Sequence, residues 1–262
     1  MTEACLGVVL RATPVRESDL LVVAYTDVHG RVSAIARNAR KSQRRFAGAL
    51  SLLVLAGFQL GRRPRGDVWS LEGAEVVREW TRLSSDVVAV AHASYAAELV
   101  ASLVPPEAPD PTALEVIVAL WDSLANVGPS PAALRAVELA LLDLAGHRPA
   151  LDRCAACGSF DLEIGAIFDP ERGGAICRAD AARSRGLGVR PLDVGTRTYL
   201  KEIGELDLPD AHTIDRDPRF TATDRVAARD AMIAMITGLV GRPLRSLEYL
   251  AKLVAAGRRS EA

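Results

Sequence analysis

Histidine and cysteine are scarce in this 262-residue chain, with four of each. His29, His92, His147 and His212 lie far apart and form no cluster. The zinc-enzyme patterns H-E-x-x-H and H-x-E followed by P-C-x-x-C are both missing. So are the G-x-x-x-x-G-K-[ST] phosphate loop and the G-x-S-x-G nucleophile elbow. "GLGVRP" places Pro191 where a dinucleotide fingerprint needs its third glycine. These absences weigh against the common hydrolase and nucleotide-binding chemistries and predict a protein that is not an enzyme. Four cysteines in a chain this long make no disulfide framework. The longest charge-free apolar run, "GALSLLVLAGFQLG", falls short of the roughly 20 residues that span a bilayer. The longer stretch 87–104 contains His92 and Glu98 and reads as a helix. "MTEACLGVVL" has an acid where a secretory signal needs bases. The expectation is a soluble, cytoplasmic protein with no membrane partner. Internal repeats and low-complexity tracts are absent as well.

What is present is enough apolar residue, 49% of the chain, for a substantial core in one large or two to three small domains. The net charge of −1 conceals an uneven distribution. Residues 1–66 carry eleven Lys and Arg against four Asp and Glu, and the remainder is acidic. From Val28 to Gly66 there are nine bases and no acid. A basic front joined to an acidic back points to a polyanionic partner for the front.

Five short runs, "CLGVVLRA", "LLVVAYT", "VSAIAR", "SLLVLAGFQLG" and "VWSLEGAEVV", read as strands without long helices between them, a small Greek-key barrel. From residue 82 the period changes. Ser84–Ser85 offers an N-cap for a helix running to Pro105–Pro106. The next two segments place Leu114, Ile117, Val118, Trp121, Leu124 and Ala125, then Leu134, Val137, Leu141 and Leu144, on single stripes. Further helices are predicted near 193–205, 221–240 and 244–256.

Within "ARNARKSQRRFAG", residues 36–48, Arg37, Arg40, Lys41, Arg44 and Arg45 recur at spacings that one helical turn, or an irregular loop, would gather. Arg62, Arg63 and Arg65 form a second cluster beyond the next strand. Two basic loops bordering a groove on a small barrel suit a phosphate chain. The plainer alternative is a solvated basic face. Tyr25, Phe46, Phe58 and Trp69 have the flat rings that stack on bases, but each sits in or beside an apolar strand and fits a core better.

The cysteines group as C-x₂-C-x₁₉-C: Cys154, Cys157 and Cys177, with Asp180 at the next ribbon position. Two such knuckles bring four donors to the corners of a tetrahedron, and carboxylate oxygen binds Zn²⁺. A structural Zn²⁺ site on Cys154, Cys157, Cys177 and Asp180 is therefore expected. His147 is a less well spaced fourth ligand, and Cys5 is remote. A degenerate knuckle without metal and a redox CxxC are the alternatives, and a three-cysteine zinc enzyme with an open position is a further one.

In their order these features resemble the RecO family, the bacterial recombination mediators. The resemblance rests on "VVLR", the "ESD" before a strand, "TDVHGR", the basic loop after "AIAR", the CxxCG, the "GG" before Cys177 and "RPLRSLEYL" at 242–250, and it covers essentially the whole chain. Asn38 stands where the family often has glycine, and Asp180 where four-cysteine members have their last cysteine. The resemblance implies an α+β multi-domain chain: an N-terminal OB-fold β-barrel at 1–80, a helical domain at 81–150 and 186–262, and a zinc-ribbon-like insert at 151–185. It implies binding of single- and double-stranded DNA, annealing of complementary strands, and a cytoplasmic, nucleoid-associated location. It also implies partnership with RecR, contact with the C-terminal tail of SSB, and, with RecR, indirect help to RecA in replacing SSB on single strands. A protein adaptor whose basic loop docks an acidic protein is the alternative from another class.

Overall fold

The computed structural model describes residues 2–42, 44–61, 67–106, 109–162 and 164–260. Contacts divide the chain into two compact units, Met1–Gly128 with Tyr249–Ala262, and Pro129–Glu248.

In the first unit, β1 (Thr2–Pro14), β2 (Leu20–Thr26), β3 (Gly30–Ala36), β4 (Val54–Gly61) and β5 (Trp69–Glu79) close into a barrel in the order β1-β2-β3-β5-β4. All pairings are antiparallel except β3 with β5, which is parallel. This is the OB-fold, and all five strands fall where β-branched and aromatic runs predict them. β1 serves two neighbours, β2 through its C-terminal part and β4 through its N-terminal part. Its pairing with β2 shifts register between Val9 and Arg11, a β-bulge just past the stretch paired with β4. β3 alternates strictly between buried and half-buried positions, as period two requires. Val9, Val22, Val32, Phe58, Leu60 and Trp69 fill the barrel, each worth about 1.5–3 kcal/mol when fully buried. The predicted ring residues Tyr25, Phe46, Phe58 and Trp69 are all buried, so they are core.

Two helices complete this part of the chain. α1 (Val87–Leu103) is capped by Asp86, whose carboxylate accepts from the amides of Val88 and Ala89. Ser84 and Ser85, the predicted cap, lie instead in a 3₁₀ turn, Thr81–Ser85, where their hydroxyls donate to the carbonyls of Thr81 and Arg82. A carboxylate two residues on serves the helix end better because it carries full charge toward the amides. α2 (Pro111–Asn126) begins at Asp110 with Pro in its first turn. Its buried stripe also includes Ala113, Val116 and Leu120, so it is broader than predicted. Within this unit the Tyr25 hydroxyl donates to the Asp110 carbonyl at 2.9 Å, and Arg31 donates to the Ala101 carbonyl.

The second unit holds α3 (Pro131–Leu144), a three-stranded sheet of β6 (Ile167–Asp169), β7 (Gly174–Ile176) and β8 (Arg190–Pro191) in the order β7-β6-β8, the single-turn α4 (Arg178–Ala181), α5 (Val194–Glu205) and α6 (Ala222–Val240). α6 carries a reciprocal capping box, Thr221 with Asp224, and ends at Gly241 with φ 69°. α7 (Arg245–Ser260) starts in this unit and continues past its boundary. Among the described residues no helix is long and apolar enough to cross a membrane.

Candidate nucleic-acid interface and metal centre

The basic segment between β3 and β4 is a series of turns, not a helix. Arg37, Arg40, Lys41, Arg44 and Arg45 are all exposed. Among the described residues none of the five joins an ion pair. The loop takes its shape from its backbone and short side chains. The Arg40 amide donates to the Ser18 carbonyl at 3.1 Å and the Asn38 amide to Asp19 Oδ1 at 2.9 Å. The Ser18 hydroxyl donates to Asn38 Oδ1 at 2.8 Å. At the far end the Ala74 amide donates to the Arg45 carbonyl at 2.9 Å. Asn38 sits at φ 54°, the left-handed region that asparagine tolerates better than most residues. It therefore fills the role of the glycine expected there and adds a side-chain acceptor that glycine lacks. "ESD" thus has a physical task, since Ser18 and Asp19 of the β1–β2 turn hold the basic loop in place.

Two guanidinium groups lean on backbone carbonyls, Arg40 on Glu17 at 3.1 Å and Arg45 on Arg37 at 2.5 Å, and Arg45 also stacks over Phe46. These contacts fix direction without neutralising charge. Arg44 and Arg45 border a cleft of about 590 Å³ over the outside of β1, β4 and β5. Ala4, Gly57 and Gly73 also line it, together with Asp27 and Glu75. The second basic cluster, Arg62, Arg63 and Arg65, lies outside the described residues.

The other expected site converges. Cys154, Cys157, Cys177 and Asp180 bring one donor atom each to within 4.8 Å of one another. Cys157 and Cys177 sulfurs are 3.8 Å apart, and Asp180 Oδ2 is 3.6 Å from Cys177 and 3.9 Å from Cys154. Bonds of about 2.3 Å to sulfur and 2.0 Å to oxygen in a tetrahedron put sulfurs about 3.8 Å apart and sulfur about 3.5 Å from oxygen. These three separations match one tetrahedral ion, and the remaining donor pairs lie within 4.8 Å. His147 and Cys5 do not belong to this cluster.

Local folding explains the convergence. The turn after Cys154 closes with the Gly158 amide donating to the Cys154 carbonyl at 2.9 Å, and Gly158 has φ 76°. β6 and β7 form a hairpin that returns the chain to Cys177. Gly174, at φ 147°, lies against the Ala150 backbone so closely that a Cβ would collide with it. Asp180 follows on α4, one turn from Cys177. The Cys177 amide donates to Cys154 sulfur at 3.3 Å.

Burial pushes the Cys154 thiol up, but the amides of Cys177, Cys157 and Ala156 outweigh it and bring it down to about 7. At Cys157 the Ser159 amide favours the thiolate, yet Asp180 and Cys154 overcome it and push that thiol up. Thiol hydrogen bonds from Cys157 and Cys177, with Arg183 and Arg172 nearby, hold the Asp180 carboxyl below the usual range despite desolvation. It is Cys157 that resists ionisation beside these neighbours, a cost that a cation among the four donors would relieve. Sequence reasoning missed Arg183, whose Nη1 is 3.0 Å from Asp180 Oδ1. Its only signal is the i, i+3 spacing.

On α3, Arg135 is buried, 5% exposed, and paired with Glu138 at 2.5 Å. An arginine and a glutamate three apart on α3 neutralise each other when their face turns inward.

An OB-fold barrel whose basic loop forms no ion pair among the described residues, followed by helices and a cluster of four donors that could hold a metal ion, defines a class in which a basic barrel precedes a helical, knuckle-bearing region. Family profiles divide the chain in the same sense: "Recombination protein O N terminal" matches residues 1–80 and "Recombination protein O C terminal" matches residues 84–248. The chain is 39% identical over 245 residues to the DNA repair protein RecO of Anaeromyxobacter sp. (strain K), covering 93% of this chain and 94% of that one. It is 40% identical over 260 residues to the DNA repair protein RecO of Geobacter sulfurreducens, covering 95% and 97%. It is 34% identical over 257 residues to that of Symbiobacterium thermophilum, again covering 95% and 97%. The chain belongs to the RecO family of DNA-repair proteins.

Proposed function

We propose that this protein is a non-enzymatic recombination mediator that binds single- and double-stranded DNA, anneals complementary strands and, with RecR, helps RecA replace SSB. The observation that carries the reading is the loop of five exposed bases without an acid partner. Two DNA strands repel through their phosphates. A cationic loop that neutralises some of them lowers that barrier and raises the local strand concentration. No catalytic residue is needed. Arg37, Arg40, Lys41, Arg44 and Arg45 are assigned this role, with Arg62, Arg63 and Arg65 as the flanking cluster.

The domain division 1–80, 81–150, 151–185 and 186–262 follows the same reading: barrel for DNA, helices for protein partners, insert for a structural ion. An acidic tail with an apolar end, as on SSB, finds support in a cleft of about 490 Å³ lined by Leu139, Leu200, Arg148, Arg153 and Lys201. In the insert, Cys154, Cys157, Cys177 and Asp180 would hold Zn²⁺, which supplies a cross-link between two knuckles and no reaction step.

Fluorescence annealing of SSB-coated complementary oligonucleotides tests the function. Acceleration by the protein, lost when the five bases become Glu, is expected. If five bases meet phosphates of one strand, log K falls against log[salt] with a slope of about −3.5, and affinity drops on the order of 10²-fold from 50 to 200 mM. A folded charge-reversed variant that anneals as well as the parent would overturn the assignment. Salt-sensitive binding to acidic peptides but not to DNA would favour the adaptor instead.

A further inference from the structure

Asp180 replaces the sulfur of a four-cysteine ribbon with a group that has two oxygens and can rotate. A carboxylate can bind an ion through one oxygen or both, so a partner that holds one oxygen favours its use as a single tetrahedral donor. Here the two oxygens are divided. Oδ2 faces the sulfurs of Cys154 and Cys177. Oδ1 is held by Arg183 Nη1 at 3.0 Å. The backbone supports the division: the Arg183 amide donates to the Asp180 carbonyl at 3.0 Å, and the Arg172 guanidinium reaches the Arg183 carbonyl at 3.5 Å. Arg172 is itself anchored to Asp169 at 3.6 Å.

We propose that Arg183 is a positioning residue for the metal centre, which by occupying Oδ1 makes Asp180 a monodentate fourth ligand that presents only Oδ2 to the ion. This rests on the reading of the knuckle as a zinc site. The arginine touches no ion and acts only through the carboxylate. Partners of this kind, which orient a ligand from outside the coordination sphere, typically contribute 10–100-fold to metal affinity. Arg183 has a side chain 76% exposed, so its removal leaves the core intact.

The test is a double-mutant cycle on the full chain, read by the thiolate-to-metal absorption of bound Co²⁺ and by chelator competition for Zn²⁺. The wild type is expected to show a Co²⁺ band sized for three thiolates. Arg183→Ala should weaken Zn²⁺ binding by about 10-fold or more, and Arg183→Lys should restore part of the loss. Asp180→Cys should enlarge the band to four thiolates, and in that background Arg183→Ala should have no effect, since a thiolate has no second atom to hold. Circular dichroism checks that each variant is folded.

An equal loss from Arg183→Ala in both backgrounds would show that Arg183 acts only as a nearby charge and would overturn the proposal. So would an Arg183→Ala variant with unchanged affinity in a protein that binds metal. Absence of any Co²⁺ band in the folded wild type would overturn the zinc site itself, and the role of Arg183 with it.

Discussion

The basic loop at 37–45 and the knuckle at 154–180 both concentrate functional groups of one kind, but they are held together in opposite ways. In the loop the cations stand exposed and, among the described residues, without an ion pair, and the shape is set by hydrogen bonds with Ser18, the Asp19 carboxylate and Ala74. In the knuckle the functional atoms themselves converge, and their mutual repulsion is only partly relieved by backbone amides. On the proposed reading, the loop keeps its form without nucleic acid, as a preorganised surface does, and the knuckle depends on an ion, because four close donors are stable as anions only around a cation.

The largest expected effect breaks the knuckle side of this comparison. Structural zinc sites carry apparent binding energies on the order of 10 kcal/mol, of which part is lost to a strained metal-free cluster. Removing the ion with a chelator, or replacing Cys177 by Ser, is expected to destabilise the protein by about 3–5 kcal/mol. For a chain of this size that is a fall of about 10 °C in melting temperature, measured by calorimetry. A melting curve indifferent to chelator would place knuckle and loop on the same footing.

Reversing the five loop bases should do the converse. Affinity for single strands is expected to fall by 10²-fold or more at moderate salt, while the melting temperature stays within about 2 °C, because no ion pair is lost among the described residues. Mobility-shift assays paired with calorimetry separate the two readouts. Unfolding of this variant would mean that the loop, too, has a structural debt to its cations.

A smaller effect comes from an acid that is satisfied by its own helix. Burial pushes the Asp224 carboxyl up, but hydrogen bonds from Thr221 outweigh it and lower it overall. The Thr221 amide and hydroxyl both donate to Oδ2 at 2.7 Å. Its folded value lies below the unfolded one of about 3.9. The contribution is therefore complete above about pH 4 and is lost as pH falls through the folded value. Asp224→Ala should cost about 1 kcal/mol at pH 7, and the deficit should shrink in acid. Urea titrations at pH 7 and pH 3 test this. A deficit independent of pH would assign the loss to packing against Gly195 rather than to the carboxylate.

Much of this was legible in the residues. Strand runs such as "LLVVAYT" coincide with β2 because period, branching and turn signals agree there. C-x₂-C-x₁₉-C marked the knuckle because its spacing lets both cysteine turns meet, and the three cysteines do converge. Asp180 was legible only as a position, since a lone Asp gives no sign of whether its oxygen will turn inward. The burial of Arg135 was not legible, because a charged residue on a helix looks exposed until the face it shares with Glu138 is known. The hold of "ESD" on the basic loop was invisible for a related reason: the contacts between Ser18 and Asn38 span 20 residues and follow no periodicity.

That hold supplies the finest test of the comparison. Asn38 adopts φ 54° while its Oδ1 accepts from Ser18. Asn38→Ala removes the acceptor and puts a residue poorly suited to left-handed backbone at the first turn of the loop. A cost of about 0.5–1 kcal/mol is expected. Asn38→Gly removes the same acceptor but relieves the backbone, so it should cost less than alanine. All five bases remain in both variants, so any drop in DNA affinity reports loop order rather than charge. If preorganisation matters, alanine should weaken single-strand binding a few-fold and glycine less, with the salt slope unchanged, because the number of phosphates met is the same. Equal affinity in both variants and the parent would mean that the cations work wherever the loop carries them, and that the staple to the β1–β2 turn serves the barrel alone.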